Sequence, residues 1–133
     1  MRPGEICLAS FPFGDIAGMK LRPGLVLVGP IGPIPEVLVA YISSVLPTAL
    51  MHSDLVLDPA KSEFRSTNLK TASVLRLHKL ATIHVSMIAR QLGELPDGQM
   101  PAVAAKLRGL MSAWQADVRG TSSQIGGLGD PEP

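Results

Sequence analysis

Aromatic side chains are nearly absent from this chain, which has three Phe, one Tyr and one Trp in 133 residues. Its core must therefore be aliphatic, drawn from Val, Leu, Ile, Ala and Met. Cysteine is scarcer still. The single Cys7 excludes an internal disulfide and a cysteine-based zinc cluster. It lies in an apolar run, which predicts a buried, inert thiol and fits a reducing, cytoplasmic setting. Net charge is also low, at +1. No global field draws the chain to nucleic acid or membrane, so any anion-binding surface must be local. No apolar run approaches the length that spans a bilayer. Met1-Arg2-Pro3-Gly4-Glu5 leads straight into a short strand, with no signal peptide to be read. No set of His, Asp or Glu has the spacing of a metal site, and no cofactor is expected.

The hydrophobic share is 46% and the charged share 17%, enough for a real core in a single domain. Strands are expected at Ile6–Phe11, Leu25–Val28, Glu36–Ser44 and Asp54–Asp58, with further strands at Ser73–Leu77, Lys79–Ile83 and Arg90–Leu95. Pro30, Pro33 and Pro35 remove backbone donors and make a stiff connector between the second and third strands. The stretch Ala60–Asn68 reads as a loop with a single helical turn, and Val85–Ala89 as another brief turn. His78 falls in a tight link between two strands. After Pro96, the residues Val103, Leu107, Leu110, Met111 and Trp114 recur at helical spacing. They predict a helix from about Gln99 to Ala116 whose apolar stripe, Met111 and Trp114 included, docks on the sheet. Asp97 is a fair N-cap for it. The pattern is mainly β with an accessory helix: a small antiparallel barrel or strongly curved sheet. Residues 1–118 form the one domain, and 119–133, rich in Gly, Ser and Pro, a flexible tail.

The most informative stretch is Lys20-Leu21-Arg22-Pro23-Gly24-Leu25-Val26-Leu27. Pro23 keeps the chain extended and biases Arg22 away from helix. A guanidinium presented from such a backbone suits an anion, because its planar fork matches two phosphate oxygens. The alternative is a surface arginine that only solvates a strand end. Ser43 and Ser44 place two hydroxyls at the end of the third strand. His52 and His84 read as structural or solvated. Lys61, Arg65 and Lys70 form a loose basic run that either lines a groove beside Lys79 and Arg90 or is simply solvated.

Several of these landmarks occur together in one family. Pro3-Gly4-Glu5-Ile6, Phe11-Pro12-Phe13, the Arg22-Pro23 stretch and Val39-Ala40-Tyr41-Ile42-Ser43-Ser44 resemble the PemK/MazF-like toxins of type II toxin–antitoxin pairs. Ser73-Val74-Leu75-Arg76-Leu77-His78-Lys79-Leu80 and the segment ending Leu92-Gly93-Glu94-Leu95 continue the match in order, to about Trp114. The resemblance implies an SH3-like barrel with a C-terminal helix, acting as a homodimer. It also implies a metal-independent endoribonuclease that cuts single-stranded RNA by 2′-hydroxyl attack. The family's Arg-Pro arginine falls on Arg22, its strand-end threonine on Ser43, and an Arg-x-Asp pair of one branch on Arg76 and His78. Serine thus replaces threonine, histidine replaces the acid, and Val45 stands where a polar residue often follows.

On that resemblance Arg22, Ser43 and His78 are the candidate catalytic residues, and Lys20, Ser44, Arg76 and Lys79 the candidate RNA contacts. A guanidinium keeps its proton in proteins, so Arg22 suits charge stabilisation rather than proton transfer. His78 titrates near neutrality and suits proton transfer; otherwise it is an exposed turn residue. Phe13 and Ile16, in the loop before Lys20, are candidate contacts for a cognate antitoxin, through which a complex could also bind DNA. Two further readings stay open. One is a non-catalytic toxin that acts on a topoisomerase from the same barrel. The other is a degenerate member that keeps dimerisation and antitoxin binding but has lost cleavage, for which Ser43 and Val45 speak.

Overall fold

The computed structural model describes residues 1–11 and 20–124, with side chains described as far as Trp114. Phe13 and Ile16 lie outside the described residues, as do residues 125–133 of the expected tail. Six strands precede one long helix: β1 (Glu5–Ser10), β2 (Leu21–Ile31), β3 (Glu36–Ser43), β4 (Asp54–Leu57), β5 (Ser73–His84), β6 (Ile88–Glu94) and α1 (Met100–Gln124). They form one antiparallel sheet in the order β4-β5-β3-β2-β1-β6. β4 and β6 are its edges and do not pair, so the sheet is open where a barrel would be closed.

Strand alternation sorts the aliphatic side chains into two clusters. Ile6, Leu25, Ala40, Ile42, Leu75 and Leu77 form the first, joined by Leu57, Phe64, Leu69, Leu95 and the helical Val103. Cys7, Ala9, Phe11, Val26, Val37, Val39 and Ile83 form the second. Successive residues of a strand point to opposite faces, so β1, β2 and β3 each feed both clusters. Each fully buried aliphatic side chain contributes about 1.5–3 kcal/mol, and this total replaces the missing aromatic core. Cys7 is fully buried, as its apolar run implied.

Several boundaries differ from the sequence expectation. β2 begins four residues early, at Leu21, and runs through Pro23 and Pro30 to Ile31. Arg22 therefore lies within the sheet, opposite Ala9 of β1, and not ahead of it. The two strands expected around His78 are one strand, β5. Its partner β3 is paired to Leu80 at Ala40 but to Arg76 at Tyr41, so Leu77, His78 and Lys79 form a bulge without partners on β3. The expected turns at 60–68 and 85–89 are short 3-10 helices, Ser62–Thr67 and Val85–Met87. His84 accepts a hydrogen bond from the Ser86 N–H at 3.0 Å and so caps the second of them, a structural role. Asp97 opens a 3-10 turn ahead of α1, with Pro96 at the capping position.

α1 is longer than expected and less buried. It continues to Gln124, past the domain boundary expected at 118. Val103 is buried, and Leu107 and Leu110 pack partly against the first cluster. Met111 and Trp114 are 61% and 70% exposed, so they are not core residues. Among the described residues, no helical side chain after Leu110 packs against the first cluster. The Lys106 ammonium donates to the His52 carbonyl at 2.9 Å and ties the helix to the loop before β4.

β6 approaches the Ser62–Thr67 turn closely at Gly93, where a Cβ would run into the main-chain carbonyl oxygens of Ser66 and Thr67. Gly93→Ala is expected to lower stability by roughly 2–3 kcal/mol, read as a shift in the urea midpoint. Gly98→Ala, with nothing within 4 Å of the new methyl, should change it by less than about 0.5 kcal/mol.

Candidate active site

The pairs Gly24–Tyr41, Leu25–Ala40 and Val26–Val39 set the register of β2 against β3. Followed two residues toward the strand ends, that register brings Arg22 level with Ser43. Both are an even number of residues from a paired position, so both side chains leave the same face. Cross-strand neighbours in such positions have Cβ atoms about 4.5–5.5 Å apart. Arg22 is exposed, and among the described residues no carboxylate pairs with it. The Ser43 hydroxyl accepts from the Val45 N–H at 3.1 Å and lies 3.3 Å from the Val45 carbonyl, a local turn that orients it.

The neighbouring row on this face crosses five strands: Cys7, Gly24, Tyr41, Arg76 and Asp54. Gly24 is bare because the Phe11 ring lies over it. Phe11 meets Tyr41 edge to face, with ring centroids 5.8 Å apart. The Lys79 ammonium sits 5.7 Å from the centre of the same Tyr41 ring, brought there by the bulge in β5. Arg76 lies next to Tyr41 across β3 and β5.

Arg76 is held by a residue that was not among the candidates. Asp54, at the start of β4, has a fully buried carboxylate. Its Oδ1 accepts from Arg76 Nε at 3.1 Å, and its Oδ2 from Arg76 Nη2 at 3.4 Å and from the Met51 N–H at 2.9 Å. His78 Nδ1 is 4.0 Å from the same Oδ1 and 3.4 Å from the Ser53 hydroxyl. The acid missing from the Arg-x-Asp position is thus present in space, supplied from β4. A lone aspartate opening the apolar run Leu55-Val56-Leu57 was the available signal, since a carboxylate there has to meet a cation.

The candidates therefore fall into separate groups. Arg22 and Ser43 share one row, with Arg76 and Lys79 beside Tyr41 in the next. His78 is in β5, two strands from Arg22 and four residues along from Val74, the partner of Ser43, so the backbone separation exceeds about 10 Å. Ser44 turns to the opposite side of the sheet. Lys20 is exposed just before β2. Burial, then the charge of Arg76 and more weakly of Lys79, hold the His78 imidazole below its usual 6.5, while Asp54 pulls the other way. Near pH 7 it is the neutral base.

A family model, the PemK-like, MazF-like toxin of type II toxin–antitoxin systems, matches residues 2–111. The chain belongs to that family and is a toxin of a type II toxin–antitoxin system. No curated protein matches it. Among solved structures it is similar to the Mycobacterium tuberculosis toxin MazF-mt6, with a TM-score of 0.61 and 23% identity over 81% of this chain and 96% of that one. A mycobacterial endoribonuclease in complex with its cognate antitoxin is similar at a TM-score of 0.59 and 14% identity, over 84% and 95% of the two chains. A structure described as an Mtb toxin follows at 0.52 and 26%, over 66% and 90%. At such identities the likeness concerns the fold. Among the described residues no helix is long and apolar enough to cross a membrane.

Because the folded state favours neutral His78, its contribution to stability is complete above pH 6.5 and is lost as pH falls through the lower folded-state value. An NMR titration of the imidazole is expected to give a midpoint below 6.5. Asp54→Asn removes the charge that favours imidazolium, so it should move the midpoint further down. An unshifted midpoint in that variant would mean that Asp54 and His78 are not electrostatically coupled.

Proposed function

We propose that this toxin is a metal-independent endoribonuclease acting on single-stranded RNA by attack of a 2′-hydroxyl on the adjacent phosphate. Family membership supports the reading, and the observation that carries it is the placement of Arg22 level with Ser43 on one face. A guanidinium and a hydroxyl so arranged can meet the same phosphoryl oxygens as charge builds on them. The 2′-oxygen bonds to phosphorus and the P–O5′ bond breaks, leaving a 2′,3′-cyclic phosphate and a 5′-hydroxyl. Neutral His78 takes the 2′-hydroxyl proton, and the departing 5′-oxygen is protonated from solvent. Arg76, Lys79 and Lys20 bind the flanking backbone. Every atom is accounted for without a cofactor.

A cognate antitoxin and a second copy of the chain are the partners in this proposal. The mycobacterial endoribonuclease of similar fold is seen with its antitoxin. An acidic extended segment would suit the exposed Lys20 and Arg22, with Phe13 and Ile16 beside them in sequence. Binding of DNA would belong to that complex and not to the toxin alone. Met111 and Trp114 on α1, and Leu50 and Met51 before β4, are exposed and offer apolar surface for a dimer. The setting proposed is the cytoplasm.

Purified protein incubated with a long mixed RNA in EDTA is expected to give discrete fragments ending in cyclic phosphate. Gyrase-dependent DNA breaks would instead mark a topoisomerase poison, and neither product a member that has lost cleavage. Arg22→Lys should slow cutting by about 100- to 1,000-fold, and undiminished cutting would exclude a two-pronged clamp. With His78 as base, the rate should fall on the acid side below pH 6.5. An identical rate and profile in His78→Ala would remove it from proton transfer. Sedimentation should report twice 14.0 kDa, and a particle of 14.0 kDa would remove the dimer.

A further inference from the structure

Asp54 has a fully buried carboxylate, whereas the side chain of its partner Arg76 keeps 18% of its surface exposed. The pairing runs along one edge of the guanidinium. Nε donates to Oδ1 at 3.1 Å and Nη2 to Oδ2 at 3.4 Å. Nη2 also lies 3.6 Å from the Met51 sulfur, a weak acceptor. Three of the five N–H groups of the fork are therefore engaged. Among the described residues the two on Nη1 have no acceptor. The carboxylate is fixed in turn by the Met51 N–H, 2.9 Å from Oδ2. Stability alone does not account for such a pair, because apolar side chains of similar volume hold an interior as well as a buried ion pair or better. What a buried carboxylate adds is direction.

We propose that Asp54 is a positioning residue for RNA binding: it clamps one edge of Arg76 so that the two Nη1 donors are held ready for a phosphate of the RNA backbone. The inference rests on the ribonuclease reading, in which Arg76 binds the backbone beside the cut link, and adds the residue that acts through it. Arg76 pairs with Tyr41, two residues before Ser43 on β3, so it leaves the same face as Ser43 one row away. An arginine side chain has several rotatable bonds, and immobilising it on a ligand weakens binding. Folding has already immobilised this one. Arg22 differs, since no carboxylate among the described residues holds its fork. Arg76 thus offers fixed, directed donors whose charge Asp54 largely offsets, and Arg22 an uncompensated charge. Charge alone predicts that an acid on this face opposes RNA, so its removal should tighten binding. Its removal also leaves more of His78 neutral. Weaker binding without the carboxylate would therefore run against both electrostatic effects.

The test is a double-mutant cycle on the full chain, read by binding of a mixed 2′-O-methyl RNA, which cannot be cut, in EDTA. Asp54→Asn should weaken binding about tenfold or more, as for the loss of one charge-assisted hydrogen bond. In the Arg76→Gln background the clamped donors are gone, and the same Asp54→Asn change should alter binding by no more than about twofold. Arg76→Lys keeps the cation but turns a single ammonium toward Asp54, so it should weaken binding nearly as much as Arg76→Gln. That variant leaves Asp54 with a cation, so it reads the clamp even where Asp54→Asn fails to fold. In cutting, the loss should appear in KM, with kcat near the wild-type value. Unchanged or tighter binding by Asp54→Asn would overturn the clamp. Equal weakening in both backgrounds would overturn it too, and would leave Asp54 a residue of stability only. So would undiminished binding by Arg76→Lys. A coupled loss of binding, with no cyclic-phosphate fragments from the wild-type chain, would uphold the clamp and defeat the ribonuclease reading. Such fragments with Asp54 and Arg76 uncoupled would defeat the clamp alone.

Discussion

A slip of one residue between β2 and β3 would turn Arg22 to the face opposite Ser43 and leave neither with a partner in chemistry. The register is therefore the constraint on which the site depends. It is enforced from both sides, because β2 and β3 each feed two apolar clusters. A slip would push Leu25, Ala40 and Ile42 out of one cluster and Val26, Val37 and Val39 out of the other. Several buried side chains, at about 1.5–3 kcal/mol each, stand against any such rearrangement. An exposed arginine with no carboxylate partner among the described residues thus gets a fixed address from the register of the strands.

The second constraint is electrostatic. Asp54 is fully buried in its side chain, and a carboxylate in that position needs cationic and N–H donors. Arg76 and the Met51 main chain provide them, so β4, a four-residue edge strand, is held to β5 by more than its ladder. The same carboxylate reaches His78. It links the row containing Tyr41 and Arg76 to the one imidazole near it. The bulge in β5 is what makes this possible. By taking Leu77, His78 and Lys79 off the β3 ladder, it aims His78 toward Asp54 and Lys79 over Tyr41.

Where most of the strands lie was legible from apolar runs and the turn residues that bound them, and so were the helix and the buried thiol. The continuity of β5 was not. A bulge breaks the period of two just as a turn does, and only pairing with an unbroken β3 distinguishes them. The stripe on α1 was legible as a stripe, but helical spacing says nothing about where its packing against the first cluster stops. Met111 and Trp114 fall beyond that point. Arg22 and Ser43 were legible as types of residue at strand ends, and only the register puts them on one face. Asp54 escaped because its partner is 22 positions away in the chain, in a strand whose register the sequence does not print.

The burial of Cys7 has a practical consequence. Its thiol is fully inaccessible and its pKa is pushed up to about 11, chiefly by desolvation. The nucleophilic thiolate is thus withheld twice, once by coverage and once by protonation. Alkylation of this thiol therefore proceeds through conformations in which the second cluster has opened around β1. Because no second thiol competes, the labelling rate becomes an internal clock for that excursion, with no probe added to the protein.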